Sequence, residues 1–324
     1  MNVEFVKMHG LGNDFVLIDD RAGELDFAPE AVAWVCDRNF GIGADGLMLV
    51  RNTSAPEADY AWWFRNADGS VAEMCGNGIR CFAKYLADHG LIDAERNSVA
   101  VETAVGVKTM EVIRDPKTGR VLEVTVDMGM PVLASADIPT ALSAGGGAQA
   151  VLDRPLVTGE GIYRVSAVSM GNPHCVLWVD DAYDCAVETI GPLIENHPAF
   201  PQKTNVEFAQ LVSDTEVLLR VWERGVGETL ACGTGACATA VAGVLSGRLK
   251  RQSAIQLPGG GLVIHIAENG GCDDSGYALG SNNDPGQRFV AQGQALGRDP
   301  GQGLGRVFMT GSATEVFKGS LEIG

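Results

Sequence analysis

The sequence predicts an α/β (α+β) protein, rich in strands, built from two pseudo-symmetric halves that arose by internal duplication. Cys75-Gly76-Asn77-Gly78 and Cys232-Gly233-Thr234-Gly235 are near copies, and each runs directly into a helical pattern. Apolar residues recur at Ile79, Phe82, Ala83 and Leu86 after the first, and at Cys237, Val241, Val244 and Leu245 after the second, the spacing of one helix face. A second pair of motifs, Gly12-Asn13-Asp14-Phe15-Val16-Leu17-Ile18-Asp19 and Gly171-Asn172-Pro173-His174-Cys175-Val176-Leu177-Trp178-Val179-Asp180, repeats in the same order. Cys232 lies 157 residues after Cys75, Glu223 lies 157 after Asn66, and Asn172 lies 159 after Asn13. A near-constant offset across separate motifs marks a duplication.

Strands are expected at residues 3–8, 15–18, 47–50, 60–64, 99–102 and 121–126 in the first half, with a short helix over 29–38 that has proline at its start. The long helix of this half spans 77–89, and Gly90 suits the residue after its C-cap. The second half repeats the theme. Strands are expected at 163–169, 176–179, 206–211, 217–222, 262–266, 307–309 and 315–317, a short helix at 187–196, and a long helix at 234–246. Residues 141–150, with three successive glycines, read as a loop. Residues 269–306 are rich in Gly, Asp, Asn and Gln without apolar periodicity and read as a flexible insertion. The expected division is 1–133, carrying Cys75 and completed by a strand near 312–324, and 134–311, carrying Cys232.

A chain of 324 residues with 46% apolar residues can bury large cores and suits two domains. No apolar run approaches the roughly 20 residues that cross a bilayer, so no membrane association is expected. Residues 1–7 lack a basic start and an apolar signal core, so a cytoplasmic location is expected. Eight cysteines are too sparse for a disulfide scaffold. The net charge of −17 argues against a nucleic-acid partner, which needs clustered positive charge.

The duplicated cysteines point to proton transfer at an amino-acid α-carbon. A thiol at a helix N-terminus feels the positive end of the dipole, which lowers its pKa toward neutrality. Removing an α-proton without a cofactor needs a base on one face, an acid on the other, and donors for the developing enolate-like charge. Two helix N-termini facing one substrate supply thiols and free backbone N–H groups together. A pseudo-twofold axis sets those thiols on opposite faces of the carbon. Asn13 and Asn172 are equivalent under the repeat, as are Asn66 and Glu223, which places them at the pocket rather than in ordinary turns. Arg224, after an apolar strand, can take a carboxylate in two parallel hydrogen bonds. His174 stands where a strand hydrophobe is expected, beside Cys175.

Rival chemistries fit worse. Cys75 and Cys81 enclose five residues and Cys232 and Cys237 four, and neither C-x-x-C nor H-E-x-x-H occurs, so neither a zinc site nor a thioredoxin-like redox pair is expected. Gly41-Ile42-Gly43-Ala44-Asp45-Gly46 matches G-x-G-x-x-G, but a strand pattern follows where a dinucleotide site needs a helix. It reads as a tight turn walling a pocket. Cys36, Cys81, Cys175, Cys185 and Cys237 sit in apolar patterns and read as buried thiols, while Cys272 lies in the insertion.

These motifs resemble the diaminopimelate epimerase family along almost the whole chain. Residues 8–15 (Met-His-Gly-Leu-Gly-Asn-Asp-Phe) match its opening motif. Residues 64–69, 74–81, 170–174, 223–225 and 231–235 match later ones. The resemblance implies two barrel-like halves, each wrapped around a central helix, with substrate in the cleft between them. It implies conversion of LL-2,6-diaminopimelate to the meso form without pyridoxal phosphate, metal or other cofactor, a step of lysine and peptidoglycan synthesis. Cys75 and Cys232 would be the acid–base pair. Asn13, Asn66, Asn172, Asn205 and Arg224 would hold substrate polar groups, the backbone at Gly76-Asn77 and Gly233-Thr234 the reacting carboxylate, and His174 and Glu223 would adjust the thiols. A homodimer that closes its domains on substrate is also implied. Two departures stand out: Gly46 occupies a position where some members carry a substrate-contacting Gln, and the segment 269–306 is unusually long. The nearest alternative, a proline-racemase-like protein, usually has His where this chain has Asn77. A non-catalytic binding module would not need both Cys75 and Cys232.

Overall fold

A computed structural model describes residues 2–71, 74–142, 150–268 and 303–322. Two runs of elements repeat each other within it. The first comprises β1 (Asn2–Gly10), β2 (Asn13–Asp19), α1 (Pro29–Cys36), β3 (Gly46–Arg51), β4 (Tyr60–Asn66), α2 (Gly76–Asp88), β5 (Ser98–Thr103), β6 (Gly106–Arg114) and β7 (Val121–Gly129). After β8 (Val151–Thr158), the second comprises β9 (Gly161–Ser169), β10 (Pro173–Trp178), α3 (Val187–Glu195), β11 (Asn205–Ser213), β12 (Glu216–Glu223), β13 (Gly227–Thr229), α4 (Gly233–Leu245), β14 (Gln252–Leu257), β15 (Gly260–Glu268) and β16 (Leu304–Ser312). Strand β17 (Thr314–Glu322) follows.

Strand pairing carries the duplication into three dimensions. Pairs β1–β2, β2–β3, β3–β4, β4–β5, β5–β6 and β6–β7 are antiparallel, parallel, antiparallel, parallel, antiparallel and antiparallel. Pairs β9–β10, β10–β11, β11–β12, β12–β14, β14–β15 and β15–β16 repeat that order. Even the register agrees, since Phe15 pairs with Gly46 as His174 pairs with Asn205. Strand β17 lies antiparallel on β1, and β8 lies antiparallel on β9. Strands β7 and β16 pair antiparallel and join the two runs into one continuous sheet.

Each half curls around one buried helix. Helix α2 packs on β1, β2, β5, β6, β7 and β17, and α4 packs on β9, β10, β11, β14, β15 and β16. The inner sheet faces and both helices share one core, which includes Phe15, Leu17, Ile79, Phe82, Leu86, Val176, Ala236 and Val241. The outer faces carry their own clusters. Val16, Ile18, Leu47 and Leu49 pack under α1, and Cys175, Leu177, Val206 and Phe208 pack with α3. Strands covered on both sides read as unbroken apolar runs, as Phe15-Val16-Leu17-Ile18 does. Helix α4 is buried nearly all round, so small residues fill it. Its expected apolar stripe is correspondingly wider: Ala236, Cys237, Ala240 and Val241 are buried, whereas Val244 and Leu245 lie at the margin. Gly90 and Gly247 adopt φ of +70° and +73° just past the C-caps His89 and Ser246, the left-handed stop that glycine makes cheap.

Some expectations need correction. The short helix expected to reach residue 38 stops at Cys36, because Asp37 leaves helical φ/ψ and its carboxylate accepts the N–H groups of Asn39 and Phe40. Strands β6, β8, β13 and β14 escaped the apolar pattern because their faces are partly wet. Strand β8 also contains Pro155, tolerated on a sheet edge. The insertion expected to end at 306 ends earlier, since Leu304, Gly305 and Arg306 already belong to β16. Glycines at its start mask a strand that buries Leu304, Val307 and Met309. Residues 143–149 and 269–302, with Cys272, lie outside the described residues. Cys185, expected to be buried, is partly exposed.

Gly243 tests how tightly α4 is packed. A Cβ there would lie 2.4 Å and 2.6 Å from Leu249 Cδ1 and Cγ. Alanine gains about 0.5–1 kcal/mol of helix preference over glycine, but overpacking costs about 1–3 kcal/mol. Gly243→Ala should therefore lower stability by about 1 kcal/mol or more, read as a lower urea midpoint at unchanged slope. A raised midpoint would show that the contact is loose.

Candidate active site

Cys75 and Cys232 occupy the same place in the two halves. Each is the extended N-cap of its central helix, with φ/ψ of −141°/110° and −126°/107°. The sequence forces this, since Gly76 and Gly233 start the helices and leave the first N–H groups free. Cys75 Sγ accepts the Gly78 N–H at 3.4 Å and lies 3.6 Å from Asn13 Oδ1. Cys232 Sγ lies 3.5 Å from Thr234 Oγ1.

The two helix ends meet at one side chain. A Cβ on Gly76 would lie 2.9 Å from Met309 Cε, and a Cβ on Gly233 would lie 2.9 Å from Met309 Sδ. The latter would also lie 3.9 Å from Asn77 Oδ1, a buried oxygen with no hydrogen-bond partner among the described residues. Only glycine at both first helical positions permits this approach.

In each half an asparagine at the strand entrance, Asn13 at the start of β2 and Asn172 just before β10, is tied to the second residue of the central helix. Asn77 Nδ2 donates to Asn13 Oδ1 at 3.3 Å, and Asn172 Nδ2 donates to Thr234 Oγ1 at 3.4 Å. Asn13 in turn donates to Asp45 of the 41–46 turn at 2.7 Å. A side chain at Gly46 has no room, since its Cβ would lie 2.7 Å from the Arg65 carbonyl oxygen. On the other side, His174 Nε2 meets Asn172 Oδ1 at 2.9 Å and His174 Nδ1 meets Glu207 Oε1 at 2.6 Å. His174 and Glu207 are both fully buried.

The remaining expected residues are placed differently. Both ends of the Asn205 amide are engaged: it donates to the Pro173 carbonyl at 2.9 Å and accepts the Arg224 backbone N–H at 2.9 Å. It thereby fixes Arg224, whose exposed guanidinium reaches the Gln202 carbonyl and forms no ion pair among the described residues. Glu223 accepts from Thr229 Oγ1 at 2.6 Å. Asn66 bonds within its own turn, to Ser70 Oγ at 2.9 Å, and joins neither cysteine cluster. Glu207, Arg80 and Met309 were not anticipated. Glu207 leaves one signal, a carboxylate inside the apolar strand run Val206-Glu207-Phe208. Met309 leaves none.

Burial, not the helix dipole, dominates both thiols in this closed arrangement. Burial pushes Cys75 up; the N–H groups of Gly78 and Asn77 and the Arg80 charge pull it back, while Glu223 pushes it further up. Cys232 is raised well above the ordinary thiol value by burial and then by Glu223 and Glu207, with relief from Thr234 and Gly235. The expected descent toward neutrality is therefore corrected, although the N–H groups act in the expected sense. Glu207 is raised by burial despite its bond to His174. Among the described residues no cluster of His, Cys, Asp or Glu is arranged to hold a metal, and no helix is long and apolar enough to cross a membrane.

These duplicated α/β halves place the chain in a fold class shared by known structures of the proline racemase and PhzF type. A probable proline racemase from Agrobacterium radiobacter K84 has this fold with a TM-score of 0.62 at 14% identity, over 99% of this chain and 93% of that one. A PhzF-family phenazine biosynthesis protein from Bacillus anthracis matches with a TM-score of 0.64 at 12% identity, over the full length of both chains. Sequence narrows the class. The diaminopimelate epimerase family profile matches residues 5–134 and 166–281. The diaminopimelate epimerase of Pelotomaculum thermopropionicum is 50% identical over 269 residues, 82% of this chain and 92% of that protein. That of Leptospira biflexa is 42% identical over 323 residues and covers all of both. The chain belongs to the diaminopimelate epimerase family.

The Asn13 side of the site rests on an ion network. Asp14 meets Lys7 at 2.6 Å and Arg38 at 2.7 Å. Burial alone raises a carboxyl, but Arg38 and Lys7 overcome it and hold Asp14 at about 2, below its ordinary 3.8. A depressed carboxyl contributes stability that is present above the ordinary value and lost as pH falls through the folded one. Stability should thus decline between about pH 4 and 2, and Asp14→Asn should be flatter in that window. Urea midpoints from pH 5 to 2 measure it; equal slopes for the two proteins would remove Asp14 from the account.

Proposed function

We propose that this protein is a diaminopimelate epimerase that interconverts the LL and meso forms by proton exchange between Cys75 and Cys232. The observation that carries the reading is the placement of both thiols as N-caps of repeat-related helices that converge on Met309. A thiolate on one face takes the α-proton, and its electron pair flows toward the substrate carboxylate. The free N–H groups at Gly76-Asn77 and Gly233-Thr234 stabilise the developing charge. The thiol on the other face gives its proton to carbon, which inverts the centre and leaves the two cysteines with exchanged protonation. Asn13 and Asn172 align the helix ends through Asn77 and Thr234. Arg224, held by Asn205, takes the distal carboxylate, and Asn66 borders that end. His174 and Glu223 set the charge beside Cys232.

Cys232 is buried and Cys75 half-buried, and two surface hollows, of 390 and 330 Å³, are lined by neither cysteine. We infer that the two halves part about the β7–β16 seam to admit substrate. We take residues 1–133 with 312–324 and residues 134–311 as those halves, in a cytoplasmic homodimer that serves lysine and peptidoglycan synthesis.

Incubation with LL-diaminopimelate in D2O should place deuterium at the inverted α-carbon. Cys75→Ala and Cys232→Ala should each nearly abolish this, and the double variant should be hardly worse, because the pair acts as a unit. A Cys75→Ala enzyme that epimerises near the parent rate would refute the two-base mechanism. Lysine lacks the second carboxylate and should be disfavoured by a factor of about 10⁴. Comparable turnover of lysine or proline would sink the substrate assignment.

A further inference from the structure

A buried His–Glu pair stands behind Cys232 where the other half has two apolar residues. Glu207 Oε1 lies 2.6 Å from His174 Nδ1, and His174 Nε2 lies 2.9 Å from Asn172 Oδ1. Asn172 Nδ2 lies 3.4 Å from Thr234 Oγ1, which lies 3.5 Å from Cys232 Sγ. Polar contacts thus run without a gap from a carboxylate to the thiol. His174 and Glu207 are both 0% exposed. In the other half the register puts Phe15 and Met48 at these positions, since Phe15 pairs with Gly46 and Leu17 with Met48 as His174 pairs with Asn205 and Val176 with Glu207. Phe15 and Met48 are buried as well. Where the fold needs only packing it places apolar side chains here, and an ionisable pair adds a desolvation cost. Gly235 leaves room for the pair: a Cβ there would lie 2.9 Å from Glu207 Oε1 and 3.3 Å from Cys232 Sγ.

We propose that Glu207 is a positioning residue: it keeps a proton on His174 Nε2, and this directs the chain so that the Thr234 hydroxyl donates to Cys232 Sγ and receives that cysteine as a thiolate. The direction follows from the donors and acceptors present. Asn172 Oδ1 only accepts, so His174 Nε2 carries the hydrogen between them. Asn172 Nδ2 only donates, so Thr234 Oγ1 accepts from it and turns its own hydrogen toward the sulfur. A Glu207 carboxylate beside a neutral imidazole would leave a bare charge in the core, and Glu207 Oε2 has no hydrogen-bond partner among the described residues. One proton shared between Glu207 and His174 Nδ1 cancels that charge, and Nε2 is protonated whichever of the two atoms holds it. Burial acts on Glu207 in the same sense. The other ionisable groups that face the pair are Cys175 from β10, Glu223 from β12 and Cys232 from the start of α4, none of them a cation. The Cys75 half runs the other way. Asn77 Nδ2 donates to Asn13 Oδ1 at 3.3 Å, and that same oxygen faces Cys75 Sγ at 3.6 Å. The side-chain partner of Cys75 is an acceptor, which suits a thiol; that of Cys232 is a hydroxyl donor, which suits a thiolate.

The proposal rests on the two-cysteine reading, but its test does not need turnover. Ring-nitrogen NMR of isotope-labelled histidine at neutral pH, with His174 assigned by its loss in His174→Phe, should show Nε2 protonated; a bare Nε2 overturns the proposal. Iodoacetamide alkylation of substrate-free enzyme at fixed pH, read by peptide mass spectrometry, gives the Cys232 rate with Cys75 as internal reference. Loss of one hydrogen bond to a thiolate lowers its population about tenfold. Thr234→Val should therefore slow Cys232 about tenfold relative to Cys75, and Thr234→Ser, which keeps the hydroxyl, should stay near the parent. Glu207→Met, which matches Met48 of the other half, should also slow Cys232. A carboxylate that acts only through its charge would have the opposite sign, a faster Cys232 once it is removed. An unchanged or faster Cys232 in Glu207→Met, or an unchanged one in Thr234→Val, refutes the proposal. If Glu207→Met does not fold, the Nε2 proton and the two Thr234 variants decide alone. Failed epimerisation with the expected alkylation pattern would instead count against the substrate assignment.

Discussion

The pairing of β7 with β16 is the constraint on which the site depends. It joins two sheets that would otherwise end separately, and Met309 pairs with Val126 along it. Met309 then stands between Gly76 and Gly233 and sets how near the two helix ends come. A seam made of main-chain hydrogen bonds fixes which strands meet, so helices packed against its two sides are placed from one shared line. Were the halves tethered only by a loop, no geometry between the cysteines would be defined.

Within that frame, each helix end is positioned by its own half. The tie from an asparagine at the strand entrance to the second helical residue recurs as Asn13–Asn77 and Asn172–Thr234. Because β2 begins at Asn13 and β10 begins one residue after Asn172, the orientation of each thiol is linked to the register of the sheet. A slip of one residue in β2 would turn Asn13 to the other face and break the link. The outer helices α1 and α3 cover the far sides of the same strands and oppose such slippage.

The halves are alike in backbone and unlike in charge. The Cys75 side has Asp45 engaged with Arg38 and Asn13, and the buried Arg80 behind the helix. The Cys232 side has the buried His174–Glu207 pair and Glu223. Duplication supplies matching geometry, and the buried charges around the two helix ends differ between the halves. Burial opposes either thiolate strongly here, so the N–H groups and charges at the helix ends matter more than they would in water.

Much of this was legible in the sequence. Repeated Cys-Gly-x-Gly and Gly-Asn motifs fixed two equivalent halves, the two long helices and their thiol N-caps, since glycine punctuation and apolar periodicity are local properties. Strands buried on both faces were equally plain. Partly wet strands such as β6 and β14, and β16 hidden behind its glycines, were not, because their apolar signal is diluted by residues that meet solvent. The tertiary structure alone decided which distant groups meet. It brought Glu207 to His174, spent Asn205 on holding Arg224, kept Asn66 in its own turn, and set Arg80 and Met309 at the helix ends. It also reversed the expected effect on the thiols. A helix terminus is written in the local sequence, but the desolvation that outweighs it comes from residues far away in the chain that close around it.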